Sequence, residues 1–499
     1  MNGLWSILPF QNKSTIKYIT MKNKFLLKAI LPVFIGFLSL QAYSAIVLPE
    51  IFSDHMVLQQ QTEAPVWGKA TPKKTVKLIT SWDKQTYTSQ SDANGDWMIK
   101  VKTPAAGGPY SISISDGKEL VLKDILIGEV WICSGQSNME MSLTAFGKVF
   151  NHEKEIASAN YPSIRLLHVQ KATSIKPEKN VKTVSGGWKV CSPATIPEFS
   201  AVGYFFGREL FTKLNVPIGL IHTNWGGTIA EAWTSSESLE LMPDFINAVR
   251  EIKEQTTNTA PNNPNRTTVL YNAMIHPLVP YSFQGVIWYQ GESNANRAYQ
   301  YRDLFPLMIQ DWRKKWNGNF PFYFVQLANY MKRESEPQES RWAELREAQL
   351  FTLRLKNTGM AVAIDIGEAD DIHPRNKQDV GKRLAYNALA NTYRLPVAFS
   401  GPLFESYTME GNIIRIKFKY AENGLKTNDG KALTGFAIAG PDHKFQWAKA
   451  IIDGNDVVVS SPDIAFPVAV RYGWANNPEC NLFNSANLPA SPFRTDDWR

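Results

Sequence analysis

The sequence predicts an α/β protein whose parallel sheet, covered by helices on both faces, is flanked by β-rich regions. Three observations predict it. Between residues 123 and 395, apolar strand-like runs alternate with helical stretches, as in βα units that close into a parallel sheet. Residues 46–122 and 396–499 carry short alternating segments divided by turn signals instead. At 499 residues the chain is also too long for a single core, so several domains are expected.

The first 45 residues stand apart by charge. Five lysines of the formal +7 (Lys13, Lys17, Lys22, Lys24 and Lys28) fall there with no acid beside them, leaving +2 for the rest. No basic run remains to favour nucleic acid as a partner. Lys22, Lys24 and Lys28 precede an apolar stretch, 29–40, that leads into Ala42-Tyr-Ser-Ala45. That is the pattern of a signal peptide starting at Met21 and cleaved near Ala45, too short to span a membrane. The first cysteine, Cys133, is too distant for a lipid anchor. The mature chain is therefore expected in the periplasm or outside the cell, with no membrane span. Three cysteines (Cys133, Cys191, Cys480) make neither a disulfide framework nor a zinc site. Cys191 and Cys480 are left as a conceivable pair in an oxidising compartment.

Residues 46–122 read as a small β-sandwich. Segments 65–68, 75–79, 97–101 and 110–114 are separated by Asp92-Ala-Asn-Gly-Asp96, Gly107-Gly-Pro109 and Asp116-Gly117. Strands are then expected at 125–133, 216–222, 284–289, 322–327 and 359–366, and helices at 201–214, 299–316, 342–355 and 377–393. From residue 396 β character returns, at 413–418, 435–438, 456–459 and 468–472.

The chemistry is expected where these strands end. Gly128-Glu-Val-Trp-Ile-Cys-Ser-Gly-Gln-Ser-Asn-Met-Glu140 reads as a buried strand, a small-residue turn and the opening of a helix. Ligands of open α/β sheets bind at that edge, and a helix start offers unpaired N–H donors. Ser137 is thus placed to be a nucleophile. Read without chemistry, the stretch is a βα turn with a capping serine. Asn224-Trp-Gly-Gly-Thr228 follows the next strand, and its glycines allow the close approach and free N–H groups that an oxyanion hole needs. Trp288-Tyr-Gln-Gly-Glu-Ser-Asn294 ends a third strand. Gln290 offers an amide donor there, Glu292 and Asn294 could orient neighbours or bind hydroxyls, and Ser293 is a rival serine.

A serine nucleophile needs an imidazole held by a carboxylate. Of seven histidines, only His373 has a nearby acid in a loop at a strand's end, with Asp370 three residues before it in Asp365-Ile-Gly-Glu-Ala-Asp-Asp-Ile-His-Pro374. A solvated acidic loop with a surface histidine is the plainer reading of that segment.

Together these segments resemble the sialate O-acetylesterase family, within the SGNH-type hydrolases. Ile51-Phe-Ser-Asp-His-Met-Val-Leu-Gln59, Trp342-Ala-Glu-Leu-Arg-Glu-Ala-Gln349 and Leu488-Pro-Ala-Ser-Pro-Phe-Arg494 extend the resemblance over the mature chain. It implies a three-layer α/β/α domain with a flavodoxin-like sheet over 123–395, between β-rich regions at 46–122 and 396–499. Ser137 would be the nucleophile, His373 the general base and Asp370 its orienting acid. The Ser137 and Gly227 N–H groups and the Gln290 side chain would form the oxyanion hole. The broader family's Gly-x-Asn-Asp is missing here, and Gln290 stands in for its asparagine.

The implied activity is a serine esterase that removes O-acetyl groups from sugars through an acetyl-enzyme. A sialoside is the first substrate, with acetylated xylan or xyloglucan as the alternative. A carbohydrate-binding protein without chemistry is the rival class, suggested by the β regions and 15 tryptophans. Neither metal nor organic cofactor is implied, since no ligand cluster or phosphate loop appears. A sialoside's carboxylate would call for an arginine, and Arg375, two residues past His373, is the candidate.

Overall fold

The computed structural model describes residues 46–145 and 148–498. The expected leader lies outside them.

The strand β1, Glu119–Gly135, organises the rest. Its first residues alternate between exposed and buried, and from Ile125 onward every residue is buried. That change marks passage from a one-sided sheet to one covered on both faces. The first half pairs antiparallel with Gly107–Ser115 and parallel with Val57–Gln59. The second half lies in a sheet with β2 (Tyr161–His168), β3 (Lys189–Cys191), β4 (Ile218–Asn224), β5 (Gly285–Tyr289), β6 (Phe322–Gln326) and β7 (Thr358–Val362). One strand therefore crosses the expected boundary at 122/123.

The order is β7-β6-β5-β1-β4-β2-β3, parallel except for β3. The five strands expected from the sequence run β4-β1-β5-β6-β7, the flavodoxin succession 2-1-3-4-5. β2 and β3, which the sequence reading did not expect, are added at the edge beyond β4. All seven residues of β4 are buried, whereas the start of β2 is partly exposed, so the wholly buried strand occupies the interior position. β4 and β5 flank β1 and leave it in opposite directions, which opens a crevice at its carboxyl end.

Helix α1 (Ser137–Glu140) follows β1 directly. The larger helices are α2 (Ala201–Leu214), α3 (Ala298–Lys315), α4 (Arg341–Phe351) and α5 (Lys377–Asn391). Side chains of Ser200, Ser340 and Asn376 cap α2, α4 and α5 by accepting an N–H three residues on. α2 packs on α5, and α3 on α4. Trp131 of β1 meets Phe206 of α2 edge-on with ring centroids 5.0 Å apart, and Trp288 of β5 meets Trp312 of α3 at 5.9 Å.

The N-terminal part pairs Glu63–Lys69 with Asp96–Lys102, and Thr75–Thr80 with Thr86–Gln90 and Gly107–Ser115. The C-terminal part has its own core, including Ile414, Ile416, Val457, Val459 and Phe493. Arg346 of α4 fastens it to the sheet. Fully buried, its guanidinium donates to Leu327 O and Ala328 O on one side and to Ala475 O and Asn476 O on the other. Burial pulls its pKa down to about 9. All three cysteines are free, so Cys191 and Cys480 are not paired.

Candidate active site

Gly135 makes the turn at the end of β1. Its φ is +140°, and a Cβ there would lie 2.1 Å from Tyr289 O, so only glycine lets β5 approach this closely. Gln136 then takes an extended conformation as N-cap, and Ser137 is the first residue of α1. The helix is anchored from below by Ser200, whose hydroxyl donates to Met139 O at 2.6 Å.

The Trp225–Thr228 turn after β4 lies against this serine. A Cβ on Gly226 would come within 3.2 Å of Ser137 Cβ. Glu140 holds the turn in place, accepting the Gly226 N–H at 2.5 Å, while its other oxygen pairs with Lys171. Gly227 is exposed, at φ +73°. Neither its N–H nor that of Ser137 donates a hydrogen bond among the described residues.

The third side is the loop after β7. Asp371 Oδ1 accepts the His373 backbone N–H at 2.8 Å and stands 3.4 Å from the ring Nδ1. The carboxylate beside the imidazole is therefore Asp371, which corrects the expectation of Asp370. The backbone explains the shift. Residues 368–371 form a turn closed by a bridge between Glu368 and Asp371, so Asp370 sits at its exposed tip. Burial lowers the pKa of His373, with Lys377 adding to the effect and Asp371 and Glu140 opposing it.

Asn138, the residue after Ser137, joins the Ser137 turn to the loops after β5 and β7. Its Nδ2 donates to Glu292 Oε1 at 2.6 Å and to Ile372 O at 2.9 Å, and its Oδ1 accepts from Lys377 Nζ at 2.7 Å. Lys377 also donates to Pro374 O at 2.6 Å. The carbonyls on either side of His373 are thus tied to the helix that starts at Ser137. Burial brings Lys377 down to about 7 and raises the Glu292 carboxyl.

Three expected site residues serve the scaffold instead. Gln290 is fully buried, and its amide nitrogen is committed to Thr228 O (3.1 Å) and Asn294 Oδ1 (2.6 Å), while its oxygen accepts from Tyr301. Both amide hydrogens are used, so none is left for an oxyanion. Asn294, also buried, donates to Glu231 and accepts from Ala230 N–H. Arg375 pairs through Nε with both oxygens of Glu368 and lies over the Phe150 ring, so its charge is already met. Glu292 remains at the site, but as a partner of Asn138. The rival Ser293 offers its N–H to Gln136 Oε1 at 3.3 Å.

Residues 127–390 match the family described as carbohydrate esterase, sialic acid-specific acetylesterase. The chain belongs to that family. Its relatives include the sialate O-acetylesterases of Homo sapiens, 32% identical across 88% of this chain and 91% of that protein, and of Mus musculus, 31% identical across 88% and 92%. A crystal structure of a carbohydrate acetylesterase from Xanthomonas citri superposes with a TM-score of 0.83 at 40% identity, covering 91% of this chain and all of that one.

As a carboxylic ester hydrolase of this family, the protein carries residues at the crevice that sequence reasoning passed over. Asn138 and Glu140 lie inside the Ser-Asn-Met-Glu stretch but read there only as polar turn and helix start. Lys377 opens a predicted helix, where a lysine is expected in solvent; nothing local marks it as the one fully buried lysine among the described residues.

Proposed function

We infer that the protein hydrolyses O-acetyl esters of sugars, with Ser137 as nucleophile, His373 as general base and Asp371 orienting the imidazole. His373 takes the hydroxyl proton as Ser137 Oγ attacks the acetyl carbonyl. The Ser137 and Gly227 N–H groups donate to the oxyanion. Collapse expels the sugar oxygen, protonated by the imidazolium, and leaves an acetyl-enzyme. Water, deprotonated by His373, then releases acetate. The observation that carries this reading is the Asn138 junction, which ties the Ser137 turn directly to the carbonyl preceding His373.

The relatives named for sialate O-acetylesterase activity make an O-acetylated sialic acid the first substrate to consider. The Xanthomonas citri protein, 40% identical, is described only as a carbohydrate acetylesterase, which leaves an acetylated carbohydrate other than a sialoside, such as xylan or xyloglucan, as the second reading. Acetate release from O-acetylated sialosides, acetylated xylan and xyloglucan fragments, and p-nitrophenyl acetate tests both. Release from none of them, or release that persists in Ser137→Ala, overturns the reading.

The layout proposed with it is an SGNH three-layer domain over 123–395 between β-rich flanks at 46–122 and 396–499. The packing of α2 on Trp131 and α3 on Trp288 supports the layering. Export by way of a leader ending near Ala45 is proposed from the sequence pattern. No helix of the described residues is long and apolar enough to cross a membrane.

A further inference from the structure

A cavity of about 450 Å³ opens beside the crevice, within the ~300–1,000 Å³ usual for small-molecule sites. Two of its lining residues are Glu292 and Ile372, the same two that Asn138 holds by hydrogen bonds. The lining therefore holds Ile372, the residue before His373, and Glu292, a hydrogen-bond partner of the residue after Ser137. Tyr330 and Trp342 form an aromatic wall, their ring centroids 5.6 Å apart. Arg341, the first residue of α4, stands at the rim.

We propose that this cavity receives the sugar whose acetyl group is at Ser137, and that Arg341 binds the carboxylate of an acidic sugar there.

The proposal rests on the deacetylase reading above and specifies its substrate as anionic. Arg341 is exposed, and its recorded side-chain contact is a single hydrogen bond from Nη1 to Asn296 Oδ1 at 3.2 Å. Among the described residues it makes no ion pair, in contrast to Arg375 on Glu368. Guanidinium donors therefore remain for a carboxylate, which matches the fork in two parallel hydrogen bonds. Two acids also line the cavity, and neither occupies the arginine. Glu339 is paired with Arg471 at 2.7 Å. Glu292 is held by Asn138, and its burial favours the neutral acid. The aromatic wall supplies the apolar surface that sugar C–H groups pack on, while the cation reads the charge. A neutral acetylated sugar would fill the cavity without using Arg341.

The experiment compares acetate release from an O-acetylated sialic acid and from its C1 methyl ester, which differ in charge at one group. The wild-type protein should favour the free acid by roughly 10–100-fold in kcat/KM, the range expected for charge-assisted hydrogen bonds, with most of the difference in KM. Arg341→Ala should bring the ratio to within a few-fold of unity, Arg341→Lys should restore part of it, and Arg375→Ala should keep the wild-type ratio. Because each variant is judged by a ratio on one preparation, partial loss of folded protein does not mimic the result. A wild-type ratio near one, or a preference that survives in Arg341→Ala, overturns the subsite. A wild-type protein that also fails on p-nitrophenyl acetate would instead overturn the esterase reading beneath it.

Discussion

Lys377 donates a hydrogen bond to Asn138 across 2.7 Å, so a buried amino group joins the start of α5 to the residue after Ser137. The same nitrogen holds Pro374 O, and the imidazole loop hangs between the two contacts. Burial favours the neutral amine and draws the pKa down to about 7. From that value up to the ordinary lysine pKa of about 10.4, the unfolded chain binds more protons than the folded one, so this group makes stability rise with pH. Below about 7 both states are protonated, the slope vanishes and the cost of the buried charge is present in full. Lys377→Met removes this dependence. The urea midpoint of the wild type, relative to the variant, should climb between pH 7 and 10 and stay level below pH 7. Parallel curves across that range would mean Lys377 keeps an ordinary pKa.

The partner of His373 is tested by two neighbouring aspartates. Asp371→Asn should slow acetate release by roughly 10²-fold, less than a fully buried triad acid because the Asp371 side chain is 38% exposed. Asp370→Asn should remain within about twofold of wild type, as expected for a solvent-facing substitution. The pH profile carries the sign. The base works as neutral imidazole, so activity falls as pH drops through its pKa. Asp371 pulls that pKa up, and its neutralisation should move the acid limb to lower pH. An unmoved limb in Asp371→Asn, with a moved one in Asp370→Asn, would restore Asp370 as the partner.

Ser137 and Ser293 sit in echoing Gly-x-Ser-Asn contexts, and the backbone separates them. Ser137 opens α1 beside Gly226, whereas Ser293 lies within the short turn of helix that begins at Glu292. Ser137→Ala should lower kcat by roughly 10⁴-fold or more, the scale seen when a triad nucleophile is removed. Ser293→Ala should change kcat by only a few-fold. Trapping the acetyl group by rapid quench and peptide mass mapping offers a direct check: acetyl on a peptide containing Ser293, and not Ser137, would reverse the assignment.

The sequence made Ser137 legible because strand, small-residue turn and helix start are all local signals. The order of β2 and β4 was not local; it depends on how completely each strand is buried, which only assembly decides. The Asp370 expectation shows the limit most sharply. A short loop can present Asp370 and His373 to one point, but a bridge between Glu368 and Asp371 turns the backbone first and brings the next aspartate beside the imidazole. Lys377, Glu140 and Arg341 escaped notice because each owes its place to residues far along the chain: Asn138 is 239 positions from Lys377, and Gly226 is 86 from Glu140.

Gln290 gives the remaining prediction, and it separates a catalytic amide from a structural one. Three buried hydrogen bonds meet at its side chain, to Thr228 O, Asn294 Oδ1 and Tyr301 OH. Gln290→Ala leaves those partners unsatisfied in the core and opens a cavity, a loss of about 2–5 kcal/mol. An oxyanion donor would behave differently, with kcat down roughly 10²–10³-fold and stability little changed. Chemical denaturation followed by kinetics on the folded fraction distinguishes them. The expected result is a lower denaturation midpoint with kcat per folded molecule within several-fold of wild type. A full loss of kcat at an unchanged midpoint would require the amide to swing away from Thr228 and Asn294 during turnover, and would return Gln290 to the oxyanion hole.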